Sequence, residues 1–288
     1  MRALIDSFPD QLSSAATSMA AQPLPATPPE HDHVLVLGMG GSGIGGRFLA
    51  GLLSDTAEVP VASCHDYQIP SWVSPKTVVI ACSYSGNTEE TLAALTQAIQ
   101  KGAQVRALTS GGQLGAMAAE HNWPVLTVPG GHPPRSQFGW AVTGLLHPFS
   151  ALGHAPADAH NVLADVQASA DALRANREAV VALADKWADL LVDKTPMLSG
   201  DAALEPVLIR WRQQLNENAK RLCNHHVFPE MNHNELVGWE SGDDSIAALF
   251  LHTHEDHPRT AERMRLCKAI FSEAGASVEE VHAVGQTR

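Results

Sequence analysis

The sequence is short of charge, and shortest of positive charge. Only 17% of its 288 residues are Asp, Glu, Lys or Arg, and 19 basic residues face 31 acidic ones for a formal net charge of -12. No basic cluster interrupts this, which excludes nucleic acid and anionic membrane surfaces as main partners, because phosphate polymers are held by concentrated positive charge. Long apolar runs are missing too, so no stretch has the length that a bilayer crossing demands. The opening MRALIDSFPDQLSSAATSMAAQ puts acidic and polar residues where a secretory signal needs an unbroken apolar segment. A cytoplasmic protein without membrane contact is expected. Cysteine is sparse: Cys64, Cys82, Cys223 and Cys267 lack CxxC spacing, so neither a zinc knuckle nor a disulfide framework is indicated.

What is plentiful is core-forming material. Hydrophobic residues make up 44% of the chain, and a chain of this length suits two domains of roughly 150 residues each. After an N-terminal helix and the connector QPLPATPPE, short β-rich runs appear at HVLVLG (33–38), VPVASC (59–64), TVVIAC (77–82), QVRALT (104–109) and PVLTV (124–128). Helical patterns alternate with them near 43–54, 87–101 and 112–121. This alternation predicts an α/β fold built on parallel sheets covered on both faces, a three-layer, flavodoxin-like arrangement that binds ligands outside the carboxyl ends of its strands. An Ala-rich stretch follows, and a second strand–helix set then runs PMLSG (196–200), LEPVLIRWRQQLNENAK (204–220), SIAALFLHT (245–253), HPRTAERMRLCKAIFSEAG (257–275) and ASVEEVHAVG. The expected division is 1–152 as the first domain, 153–194 as connecting helices, and 195–288 as a second domain shortened at its end.

Two strand-to-helix turns carry the clearest chemistry. GMGGSGIGG (38–46) supplies glycines that let the backbone turn tightly and aim N–H groups at an anion on the positive end of a helix. Gly41 and Ser42 are its candidate contacts. Taken literally, Gly38, Gly40 and Gly43 also satisfy GxGxxG, with Asp66 where a dinucleotide fold keeps its ribose acid. The turn CSYSGNTEET (82–91) favours a sugar phosphate instead. A phosphate monoester wants short donors converging from several directions, and Ser83, Ser85 and Thr88 with the free N–H groups of a helix starting near Asn87 provide them. Capping of that helix by Ser85 or Asn87 is the plainer use of such residues. One cap does not account for four polar side chains.

GMGGSGIGG followed by CSYSGNTEET resembles the sugar isomerase (SIS) domain. In the same order, PRSQFGW (134–140), LNENAKR (215–221) and EMNHNELVGWE (230–240) resemble the bifunctional phosphoglucose/phosphomannose isomerases, so the likeness covers nearly the whole chain. It implies two SIS-type domains, no cofactor and no metal. It also implies interconversion of glucose 6-phosphate, and of mannose 6-phosphate, with fructose 6-phosphate through a cis-enediol. Arg135 would then stabilise the negative charge of the enediolate. Glu217 would be the base that moves a proton between C2 and C1. His233 would protonate the ring oxygen to open the hemiacetal, presented to the neighbouring subunit of a homodimer, with Asn232, Asn234 and Glu235 holding its ring.

The sequence departs from the family in one respect. Members carry a lysine on a last segment beyond the final strand, whereas this sequence stops at VHAVGQTR, and Lys268, inside AERMRLCKAIF, does not match that position. HTHEDH (252–257) invites a metal reading, but its spacing is not HExxH, and Asp256 is placed to cap the following helix. Two rival functions stand beside the isomerase: a non-catalytic sugar-phosphate sensor, which lacks an attached DNA-binding segment here, and a nicotinamide-dependent oxidoreductase.

Overall fold

A computed structural model describes residues 1–23, 30–150, 152 and 162–283. The chain divides into two compact units, Met1–Ala175 and Asn176–Arg288. The first opens with two helices, α1 (Arg2–Asp6) and α2 (Phe8–Ala20), where one was expected. It continues as β1 (His33–Leu37), α3 (Gly40–Leu52), β2 (Val61–Cys64), β3 (Thr77–Ser83), α4 (Glu89–Gln100), β4 (Gln104–Thr109), α5 (Gly112–His121), β5 (Val125–Thr127), α6 (Phe138–Ser150) and α7 (Val162–Ala175). All five strands are parallel, in the order β2-β1-β3-β4-β5.

The strands read as unbroken apolar runs because both faces of the sheet are covered. Along β1, Val34 and Val36 pack with Leu49, Leu145 and Phe149 of α3 and α6. Leu35 and Leu37 point the other way, to Leu95 and Ala98 of α4 and Leu114 of α5. Helix α6 was not foreseen. Within PRSQFGW only Pro134–Ser136 is a turn, a single 3-10 one, and Phe138 already begins the helix. Its sequence, FGWAVTGLLHPFS, is apolar nearly all round and shows no polar stripe to reveal the helical period, as befits a buried helix.

The second unit comprises α8 (Arg177–Leu190), β6 (Thr195–Asp201), α9 (Glu205–Gln214), β7 (Asn224–Phe228), α10 (Glu235–Gly238), β8 (Ile246–His252), α11 (Pro258–Glu273) and β9 (Ser277–His282). Its four strands are again parallel, in the order β7-β6-β8-β9. Leu198, Leu249 and Leu251 face Leu208 of α9, with Trp187 of α8 against Trp211. Phe250 and Phe228 face Met264 and Phe271 of α11. Strand β7 is an addition to the expected set, since NHHVF lies at a sheet edge and lacks an apolar run. The helices expected over 153–194 are α7 and α8. Residues 153–161 and the end of the last expected strand, 284–285, lie outside the described residues. No described helix is long and apolar enough to cross a membrane.

Candidate functional site

In the first sheet the chain leaves β1 and β3 in opposite directions, so the carboxyl ends of these neighbours form a topological switch point, where open parallel sheets bind ligands. Both expected turns meet there. The first has little room for side chains: a Cβ on Gly38 would lie 2.9 Å from the Cys82 carbonyl oxygen of the adjacent strand. Gly40 adopts φ +51°, and Met39, the N-cap residue of α3, contributes no side-chain cap bond. No Met39 side chain consumes the first-turn N–H groups of α3, of which Ser42 N turns to the Met39 carbonyl oxygen at 3.1 Å, and they carry the positive end of the helix dipole.

Ser42 joins the two turns. It is buried, and its Oγ accepts the Tyr84 backbone N–H at 3.0 Å. Its hydroxyl also bonds the neighbouring Cys82 thiol, whose pKa burial pushes up to about 12, so Cys82 is a packing residue and no nucleophile. In the second turn Ser83 is fully buried and its Oγ lies 2.9 Å from Thr88 Oγ1. Thr88 is half-buried, and Ser85 is exposed, its Oγ accepting the Asn87 N–H at 3.2 Å. Helix α4 starts at Glu89 with Thr88 at its N-cap, and no side chain caps it. The expected cap by Ser85 or Asn87 is thus corrected. Asn87 Oδ1 accepts instead from Gln113 N at 2.9 Å, serving the first turn of α5, because the tight turn at Gly86 (φ +69°) turns Asn87 away from its own helix.

Arg135 sits half-buried in the 3-10 turn Pro134–Ser136. That turn is pressed onto the start of α3: a Cβ on Gly41 would come within 2.7 Å of the Pro134 carbonyl oxygen. Gly41, Ser42 and Arg135 are therefore brought to one rim, next to the 83–88 turn. His65, which sequence reasoning missed, braces this rim from the end of β2. Its Nδ1 lies 2.8 Å from the Gly38 carbonyl oxygen and its Nε2 3.1 Å from Ser63 Oγ, the pattern of a neutral ring that donates to Gly38 and accepts from Ser63. Burial holds its pKa below the ordinary histidine range, only partly offset by the Gly38 bond. Asp66, the ribose acid of the dinucleotide reading, accepts the Tyr67 N–H at 2.6 Å.

In the second unit Glu217 does not lie on a regular helix. It occupies a π turn, Leu215–Ala219, that continues α9 and stops at Lys220 in the left-handed conformation (φ +57°). Such turns recur at functional sites. The turn is bolted by Lys220 Nζ donating to the Glu217 carbonyl oxygen at 2.6 Å and by Asn218 Nδ2 donating to Gln214 Oε1 at 2.6 Å. His233 ends the 3-10 turn Glu230–His233 and is exposed. The expectation that its flanks orient its ring is corrected, since each serves another partner. Asn232 donates to Cys267 Sγ at 3.1 Å, Asn234 caps α10 through Glu235 N at 2.6 Å, and Glu235 lies 2.8 Å from His226 Nδ1. Within this unit Glu217 and His233 are not brought together: one precedes β7 and the other follows it, so they belong to opposite ends of that strand. The five residues of β7 set these two ends about 13 Å apart along the strand.

Helix α11 begins one residue later than expected, so its cap is His257, whose Nδ1 accepts from Arg259 N at 3.1 Å, while Asp256 accepts from Thr253 Oγ1 at 2.8 Å. Lys268 donates to Glu280 Oε2 at 2.5 Å.

Two parallel sheets, each covered by helices, with a hydroxyl-lined pair of helix starts at a switch point, define an α/β protein of the SIS class. The SIS domain model matches residues 29–122, and the model of the bacterial phospho-glucose isomerase C-terminal SIS domain matches residues 181–288. A bifunctional phosphoglucose/phosphomannose isomerase of Caldicellulosiruptor bescii is 37% identical over 265 residues, covering 89% of this chain and 78% of that protein. A protein of the same name from Thermoplasma acidophilum is 32% identical over 256 residues, covering 88% and 76%. The solved C-terminal domain of glucosamine-fructose-6-phosphate aminotransferase from Francisella tularensis shares the fold, with a TM-score of 0.72 at 12% identity over 97% of this chain and 82% of that one. The chain belongs to the bifunctional phosphoglucose/phosphomannose isomerase family.

Proposed function

We propose that this protein is an isomerase that interconverts glucose 6-phosphate, and mannose 6-phosphate, with fructose 6-phosphate. The single observation that carries this reading beyond family membership is the pair of uncapped helix starts, α3 and α4, tied side by side by the Ser42–Tyr84 bond. Uncapped N–H groups and hydroxyls converging on one spot suit a phosphate monoester. In this reading Gly41, Ser42, Ser85 and Thr88 hold the phosphate, and Ser83, bonded to Thr88, fixes that hydroxyl's direction.

The chemistry is an internal redox exchange, as befits an intramolecular oxidoreductase. His233 gives a proton to the ring oxygen while the hemiacetal O–H proton passes to water, and the C1–O5 bond breaks to open the sugar. The Glu217 carboxylate takes the proton from C2, and the C–H electron pair forms the C1–C2 double bond while the carbonyl electrons move onto O1. Arg135 stabilises the resulting enediolate. Glu217 then returns its proton to C1 while the O2 proton passes to the O1 alkoxide, so that C2 becomes the carbonyl and C1 carries a hydroxyl. C1 is reduced and C2 oxidised, so the electrons balance without an external carrier. Access of one carboxylate to either epimer follows from rotation about C1–C2 of the enediol. The placement of Glu217 and His233 at opposite ends of one strand supports a homodimer in which His233 serves the neighbouring chain's site.

The test is a coupled assay for fructose 6-phosphate with each aldose phosphate supplied. Conversion of both is expected. Tight binding without conversion would make the protein a sensor, and an NAD-dependent absorbance change without isomerisation would make it a dehydrogenase.

A further inference from the structure

Arg135 lies between β5, which ends at Thr127, and α6, which starts at Phe138, in a stretch whose one element is the 3-10 turn that carries it. A guanidinium that must meet a developing charge needs its backbone fixed, because a misplacement of about 1 Å can cost on the order of 10²-fold in rate. The fixing comes from the N-terminal helix. The Gln11 carboxamide of α2 makes two bonds to this stretch: Nε2 donates to the Ser136 carbonyl oxygen at 2.7 Å, and Oε1 accepts the Gly139 N–H at 2.8 Å. That N–H belongs to the first turn of α6, whose donors have no partner within their own helix. A Cβ on Gly139 would lie 2.8 Å from Gln11 Oε1, so the glycine keeps the approach open. Gln22, just past the end of α2, repeats the arrangement at the other root of the loop. Its Nε2 donates to the Thr127 carbonyl oxygen at 3.1 Å and its Oε1 accepts the Thr127 N–H at 2.9 Å. Between the two roots, Tyr84 Oη accepts the His132 N–H at 3.1 Å.

We propose that Gln11 is a positioning residue for Arg135: its carboxamide, acting as a detached peptide group, holds the Pro134–Ser136 turn so that the guanidinium meets the enediolate, and Gln22 holds the opposite root of the same loop. The proposal rests on the reading of Arg135 as the group that stabilises the enediolate. Helix α2 is seated independently of the two glutamines. Ala15 and Met19 pack with Trp140, Leu145 and Phe149, and Leu12 and Ala16 with Val166 and Ala170. Replacing a glutamine therefore frees the loop without releasing the helix. The two carboxamides bond the backbone of this loop and not the turns proposed to hold the phosphate, so the effect falls on turnover rather than on binding.

A double-mutant cycle on the full chain tests this, with kcat, KM and urea unfolding measured for the parent, Q11M, R135M and Q11M/R135M. Methionine keeps the length of the side chain and removes both bonds. Q11M is expected to lose at least about fivefold in kcat with KM within about twofold. In the R135M background the same substitution should change kcat by less than about twofold, because the group it positions is gone, while its effect on unfolding stays the same in both backgrounds. Q22M and Q22M/R135M apply the same criteria at a more exposed site, and they decide the matter if Q11M does not fold. An equal fold-loss in kcat with and without Arg135 would reduce the glutamines to structural residues and overturn the proposal, as would parental kcat in Q11M or a loss confined to KM. Parental kcat in R135M would instead overturn the reading of Arg135 itself.

Discussion

At the scale of single residues, the site is built by side chains that bond each other before they meet a ligand. Ser42, Asn87 and His65 each have a partner in a neighbouring turn, and Ser83 and Thr88 bond each other within one. His65 gives this arrangement a pH signature. Burial lowers its pKa in the folded state below the ordinary value of 6.5, so the unfolded chain binds more protons there than the folded one. Its contribution to stability is full above that value and is lost as the pH falls from there through the lowered folded-state pKa. Urea unfolding between pH 7 and pH 5 is expected to show a steeper loss of stability for the parent than for His65→Gln; equal slopes would remove His65 from this role. The residue types of the site were legible in the sequence because two glycine- and hydroxyl-rich turns stand out against apolar strands. Their partners were not. Nothing in CSYSGNTEET announces that Asn87 serves the next helix, or in EMNHNELVGWE that Glu235 turns to His226, because such bonds are made across the fold.

At the scale of elements, strands buried on both faces and helices with a polar stripe were readable from period and composition. The elements that escaped lack that contrast: α6 is apolar nearly all round, and β7 is a histidine-bearing edge strand. The π turn escaped for another reason. An i→i+5 turn leaves no mark in hydrophobic spacing over five residues, so LNENA read as more helix. The turn between β3 and α4 depends on Gly86, which takes φ +69° and whose added Cβ would run into the Gly111 carbonyl oxygen. Because Leu114 N bonds the Gly86 carbonyl at 2.9 Å, a shift here also disturbs the start of α5. Gly86→Ala is expected to cost about 2 kcal/mol or more and to raise KM more than it lowers kcat. Unchanged unfolding would contradict the strain.

At the scale of the whole molecule, two sheets of the same parallel grammar carry different duties. The first places the two turns proposed to hold the phosphate at a switch point, as the strand order implies. The second sends Glu217 to one end of β7 and His233 to the other, which a linear reading of residues sixteen apart did not reveal, since only the topology shows that a strand runs between them. If His233 serves a neighbouring chain, Glu217→Gln and His233→Asn proteins should each be inactive alone, and mixed subunits should regain activity through sites that pair the intact residues. No recovery after subunit exchange would place the whole site in one chain. The central claim, that Glu217 carries a proton between C2 and C1 of a sugar phosphate, is tested most directly by following deuterium from solvent into glucose 6-phosphate and mannose 6-phosphate. The parent protein should incorporate label at C2 of both, and Glu217→Gln should incorporate none while still binding substrate. Label appearing at the parental rate in Glu217→Gln would contradict it.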